Sequence, residues 1–128
     1  NVMRKRLNYP ELKRAVQEQR QLFKANEVVI EDKASGTQLI QDLKYDGVTV
    51  RAAPANTDKV LRMHGETAMI EGGSVHLSKG AHWLPDYVTE LTTFPHGKHD
   101  NQVDSTAHAL HWIKTAPSRR ATARPLRI

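Results

Sequence analysis

The sequence predicts an α/β fold organised around a short parallel sheet, and three observations carry that reading. Two β-branched runs, E-V-V-I-E at 27–31 and G-V-T-V-R-A at 47–52, read as strands, the first of them buried. Between them Leu39, Ile40 and Leu43 recur at helical spacing, so a crossover helix joins the two, as parallel strands require. Helical periods also flank this unit on both sides, supplying layers to cover a sheet. A chain of 128 residues is one domain's worth, 38% hydrophobic and 26% charged. It has no apolar run near the roughly 18 residues of a membrane span.

The elements follow in order. Residues 2–7 are apolar and basic and read as the end of a strand; the chain starts at Asn1 rather than Met, which suggests a piece of something longer. Asn8-Tyr9-Pro10 opens a helix over 10–24, with Pro10 near its first position, Glu11 in its first turn, and Leu12, Ala15, Val16, Leu22 and Phe23 in helical register. After the strand at 27–31 come a loop at 32–36, a helix at 37–44 and the strand at 47–52. Thr57 is placed to cap a third helix running to about Ala68. Ile70-Glu71-Gly72-Gly73 reads as a turn and 74–77 as a short strand. A helix at 83–92 carries Trp83, Leu84, Val88 and Leu91, and a last helix spans 100–114. The helix at 10–24 and the last helix are expected on opposite or adjacent faces of the sheet.

The net charge of +5 lies at one end. No acidic residue follows Asp104, while Lys114, Arg119, Arg120, Arg124 and Arg127 do, so the rest of the chain is balanced. Charges cancel over residues 1–104, and residues 1–114 read as the globular body. Residues 115–128 read as a basic, mobile tail suited to a polyanion, or simply as a solvated linker. The absence of cysteine excludes disulfides and thiolate zinc sites and is compatible with a cytoplasmic protein. No phosphate-binding glycine loop, G-x-S-x-G or H-E-x-x-H motif occurs.

Two stretches hold chemistry. V-V-I-E-D-K-A-S-G sets Glu31, Asp32 and Lys33 at the carboxyl end of a buried strand, where α/β sheets place their ligands. Charge at such a position needs a partner, and a divalent cation is one; Lys33 could neutralise a carboxylate or contact a phosphate. The plain alternative is a charged surface loop. In H-G-K-H-D-N-Q-V-D-S-T-A-H-A-L-H-W, Asp100 and Asp104 share a helix face one turn apart. They equally suit charge compensation at a helix N-terminus, with Asp100 as cap. His108 continues that face, but its spacing matches no zinc pattern, and a helix-face histidine is more often a surface or packing residue. If the fold joins the two clusters, the product is an acidic metal site suited to phosphodiester hydrolysis.

These residues carry a resemblance. R-L-N-Y-P-E-L-K-R-A, V-V-I-E-D-K-A-S-G-T-Q-L-I-Q-D-L, D-K-V-L-R-M, I-E-G-G-S-V-H-L and the stretch from Trp83 to Leu110 resemble, in family order, the C-terminal nuclease domain of tailed-phage terminase large subunits. E-D-K-A-S-G and H-D-N-Q-V-D-S are the specific parts. The resemblance implies an RNase H-like mixed sheet flanked by helices. It implies a metal-dependent endonuclease that cuts concatemeric double-stranded DNA during packaging with two Mg²⁺ or Mn²⁺ ions. The acidic set would fall on Glu31, with Asp32 as neighbouring candidate, and on Asp104 and Asp100 at the start of the last helix; Asn101 stands where many relatives carry a further Asp. Lys33, Arg119, Arg120 and Arg124 are the candidate DNA contacts. The partners implied are DNA, an upstream ATPase domain, the portal and the terminase small subunit, in the cytoplasm of a bacterial host, with no membrane. The family's opening strand and its aspartate do not occur in this sequence, so weak metal binding and impaired cleavage are expected.

Two other readings compete. Glu31-x-Lys33 looks like half of a restriction-endonuclease motif, but residues 1–26 contain no Asp to complete it. A degenerate prophage remnant that only binds duplex DNA through Arg4, Lys5, Arg6 and the tail is the non-enzymatic alternative.

Overall fold

The computed structural model describes residues 1–55 and 58–116 of the chain. Asn8 opens helix α1 (Tyr9–Leu22) with a reciprocal capping box: its side chain accepts from the Glu11 backbone N–H, and the Glu11 carboxylate accepts from that of Asn8. Strand β1 (Val28–Glu31) leads through a tight turn into α2 (Ser35–Tyr45), which returns the chain to β2 (Val50–Ala53). β1 and β2 pair in parallel, Val28 opposite Val50 and Glu31 opposite Ala53. The expected crossover unit is therefore present. Among the described residues the sheet has these two strands alone.

Strand alternation sorts the layers. Val28, Ile30 and Val50 pack with Leu39, Leu43 and Val48, and Tyr9, Leu12 and Val16 of α1 close that core. The Tyr9 hydroxyl donates to Asp42 at 2.5 Å, joining α1 to α2. That bond pushes the Tyr9 phenol up to about 12 and holds the Asp42 carboxyl below its usual value. Val29 and Glu31 face the other way, into a cleft lined by the last helix, α6 (Asn101–Thr115). α1 and α6 thus lie on opposite faces, as expected.

The remaining elements brace α6. Helix α3 (Lys59–His64) is capped by Asp58, whose carboxylate accepts from the Val60 and Leu61 N–H groups; the expected cap, Thr57, lies outside the described residues. The single helix expected from there to Ala68 is two, because α4 (Thr67–Glu71) begins after Gly65 and Glu66. Helix α5 (Leu84–Thr93) buries Tyr87 and Glu90 against α6.

Two expected strands are absent. Residues 2–7 and 74–77 have irregular backbone. Their apolar side chains, Val2, Met3, Val75 and Leu77, line a groove with Trp83, Tyr87 and Leu110 instead. An alternating pattern needs a partner strand before it makes a ladder, and these segments satisfy their apolar faces by packing on helices. No helix among the described residues is long and apolar enough to cross a membrane.

Candidate metal centre

The end of β1 and the start of α6 are brought together by their register. At the far end of the strand, the Trp112 indole N–H donates to Glu27 Oε2 at 2.8 Å, and Arg51 Nε from β2 holds Glu27 Oε1 at 3.1 Å. From Trp112 back to Asp104 is eight residues of helix, about 12 Å of rise. From Glu27 forward to Glu31 is four residues of strand, about 13 Å. The two elements run antiparallel, so one clamp at Glu27–Trp112 sets Glu31 beside Asp104.

Glu31, Asp104 and His108 each offer one ligand atom, and these atoms all lie within 4.8 Å of one another. They open onto a cleft of about 450 Å³ that Val29, Asn101, Ser105 and Trp112 also line. Donors around an ion with bonds of about 2.1 Å sit at most about 4.2 Å apart, so small side-chain adjustments suffice for all three to reach one ion. Two carboxylates and an imidazole make a donor set of oxygen and one nitrogen, the kind that divalent ions take. The residues present therefore fit a divalent ion. Burial and the neighbouring Arg62 charge pull His108 below its ordinary value, which keeps a ring nitrogen unprotonated at neutral pH.

The other expected ligands have different occupations. Asp32 is exposed and its Oδ1 accepts from the Thr37 hydroxyl at 2.7 Å, so it steadies the start of α2. Asp100 sits at the N-cap position of α6 without any cap bond from its side chain; Lys59 Nζ holds it at 3.0 Å. The capping expected of Asp100 is performed by Glu90 of α5. Its buried carboxylate accepts from the Gln102 and Val103 N–H groups and, at 2.8 Å, from Gln102 Nε2. A carboxylate there also meets the positive end of the helix dipole. Lys33 is exposed in the turn after β1, which ends at Glu31, so the strand-borne E-x-K arrangement of the restriction-endonuclease reading does not form. Arg119, Arg120 and Arg124 lie outside the described residues.

The turn itself is tight. Ala34 has φ +50°, and a Cβ on Gly36 would lie 2.2 Å from the Glu31 carbonyl oxygen. Only glycine lets α2 start this close to the end of β1. The glycine of E-D-K-A-S-G thus fixes the backbone that aims Glu31.

Sequence reading missed the cations of α3, which runs alongside α6 in the same direction. Lys59 Nζ also reaches Asp104 at 3.2 Å. Arg62 Nη1 bonds both Asp104 Oδ1 and, at 2.9 Å, His108 Nε2. One turn further on, buried Glu66 pairs with His111 at 3.2 Å and Lys114 at 3.0 Å. D-K-V-L-R-M carries a basic i, i+3 pair, a signal too common to single out without the fold.

No curated protein and no solved structure gives a match. The sequence profile described as "Terminase RNaseH-like domain" matches residues 2–112. That span runs from before α1 to Trp112 and takes in Glu31, Lys59, Arg62, Glu90, Asp104 and His108. The chain belongs to the terminase RNaseH-like domain family.

Proposed function

We propose that Glu31, Asp104 and His108 hold a divalent cation, Mn²⁺ or Mg²⁺, and that this centre serves hydrolysis of double-stranded DNA in genome packaging. The observation that supports it most is the convergence of three donors from two distant elements on one point of an open cleft. A bound ion there would activate water and stabilise negative charge on phosphate oxygens. The chain's own residues do the rest. Glu31 and Asp104 supply the negative charge that an ion needs. His108 adds a neutral donor held by its place in α6, and the Glu27–Trp112 clamp keeps helix and strand in register.

Three donors complete part of one ion's shell. A two-metal centre needs further carboxylates, and Asp100, on the same face of α6 and one turn before Asp104, is the nearest candidate on that helix. We therefore expect this chain alone to bind metal weakly and to cleave little. Cutting of concatemers, work with an ATPase domain, portal and small subunit, and action in a host cytoplasm belong to the same proposal. DNA contact is assigned to Lys33 and, in the tail, to Arg119, Arg120 and Arg124.

Calorimetric titration with Mn²⁺ tests the reading. Binding that both Glu31→Ala and Asp104→Ala remove supports it. Affinity for duplex DNA that is salt-dependent yet indifferent to Mn²⁺ and to both substitutions would leave only a DNA-binding module.

A further inference from the structure

Two of the three donors, Asp104 and His108, already have a cationic partner. Arg62 Nη1 lies against both Asp104 Oδ1 and His108 Nε2. An imidazole nitrogen that accepts a hydrogen bond has spent its one lone pair and cannot ligate an ion with it. The same Nη1 lies against Asp104 Oδ1, on a side chain 7% exposed. A carboxylate oxygen keeps a further lone pair, so it is at His108 Nε2, and through the space and charge of the guanidinium between the two residues, that arginine and a cation exclude one another.

We infer that Arg62 is the exchangeable counter-ion of this site, and that a divalent ion enters by displacing its guanidinium from Asp104 and His108. This rests on the metal site proposed above. Three features around Arg62 favour exchange over a fixed tether. No residue of α3 belongs to the apolar core, so the helix can shift without opening it, and the deeply covered side chain on it is that of Arg62 itself. Its second cation, Lys59, is 44% exposed and bridges Asp100 and Asp104 from the solvent side, where leaving for water costs little. Arg62 Nη2 already donates to the Pro54 carbonyl at 3.5 Å, so the guanidinium keeps an acceptor when Nη1 swings off Asp104 and His108. Arg62 thus keeps Asp104 charge-compensated while the ion is absent, and sets a threshold that ion loading must overcome. An arginine that merely positioned Asp104 would have the opposite effect, because its removal would loosen a ligand and weaken binding.

The test compares wild type with Arg62→Gln and Arg62→Lys, reading the Mn²⁺ dissociation constant by calorimetry and the Mn²⁺-induced rise in melting temperature. Arg62→Gln should melt lower than wild type without metal, bind Mn²⁺ roughly tenfold more tightly, and gain more melting temperature from it, since one charged hydrogen-bonded partner no longer competes. Arg62→Lys, which keeps the charge but not the planar fork, should fall between. Equal or weaker Mn²⁺ binding by Arg62→Gln, with wild-type binding that still depends on Asp104, overturns the exchange and leaves the metal site standing. Absence of Mn²⁺ binding in wild type and Arg62→Gln alike overturns both.

Discussion

Two carboxylates near the N-terminus of α6 have opposite natures. Glu90 is 5% exposed, and its hydrogen bonds come from backbone and amide N–H groups of Gln102 and Val103, which have nowhere else to go; the half-exposed Arg4 guanidinium stands off at 3.9 Å. Asp104 has a side chain 12% exposed and takes its bonds from cations of a short helix outside the apolar core, half-exposed Lys59 and the more covered Arg62. The first is a fixed brace that replaces a missing helix cap. The second sits in a cleft with partners that can be traded. On the metal reading proposed above, what separates the two acids is what they bond: Glu90 is held by backbone N–H groups that cannot move away, Asp104 by side-chain cations that can.

The largest expected effect breaks the brace. Glu90→Ala leaves buried N–H groups of α6 without acceptors and should lower stability by about 3 kcal/mol in urea unfolding. A loss below about 1 kcal/mol would mean that water or Asp100 takes over the cap, and the contrast would collapse. Gly36→Ala comes next. Its Cβ would meet the Glu31 carbonyl, so a loss of about 2 kcal/mol is expected, with Mn²⁺ affinity falling as Glu31 is re-aimed. Unchanged metal affinity would show that the turn does not position Glu31. Asp104→Asn should be somewhat milder for stability than Glu90→Ala, about 2 kcal/mol, because the Asn oxygen still accepts from Arg62, yet reduce Mn²⁺ affinity at least about tenfold. Stability loss equal to that of Glu90→Ala would place Asp104 among the braces.

The smallest effect concerns pH. His108 titrates below its ordinary value of 6.5, first through burial and then through Arg62. As pH falls below 6.5 the unfolded chain takes up this proton before the folded one. The histidine's contribution is therefore whole above 6.5 and is lost as pH falls through the folded value. Urea midpoints of His108→Asn should fall less steeply than those of wild type on that acid limb. Parallel curves would remove His108 from the titrating set.

Much of this was legible in the sequence where local pattern sufficed. The strands at 27–31 and 47–52 and the last helix at 100–114 agree within a few residues with β1, β2 and α6. Glu31 and Asp104 stood out because each closes or opens an element. What was not legible depends on register between elements distant in the chain. Glu90 as cap, Arg62 as counter-charge and His108 as third donor all require α6 to lie antiparallel to β1 with Trp112 on Glu27. The strand expected at 74–77 fails for a related reason: its alternation is real, but apolar side chains on α5 and α6 answer it in place of a neighbouring strand.

The central claim is that one divalent ion sits between Glu31, Asp104 and His108. Paramagnetic broadening of backbone amide signals on adding substoichiometric Mn²⁺ to the wild-type chain locates such an ion directly. The account predicts loss of signal centred on residues 30–32 and 103–108, extending to the start of α2 and to α3 and weakest in α1 and the far end of α2. Broadening centred on Asp42 and Asp46, or spread evenly over the acidic surface, would contradict it.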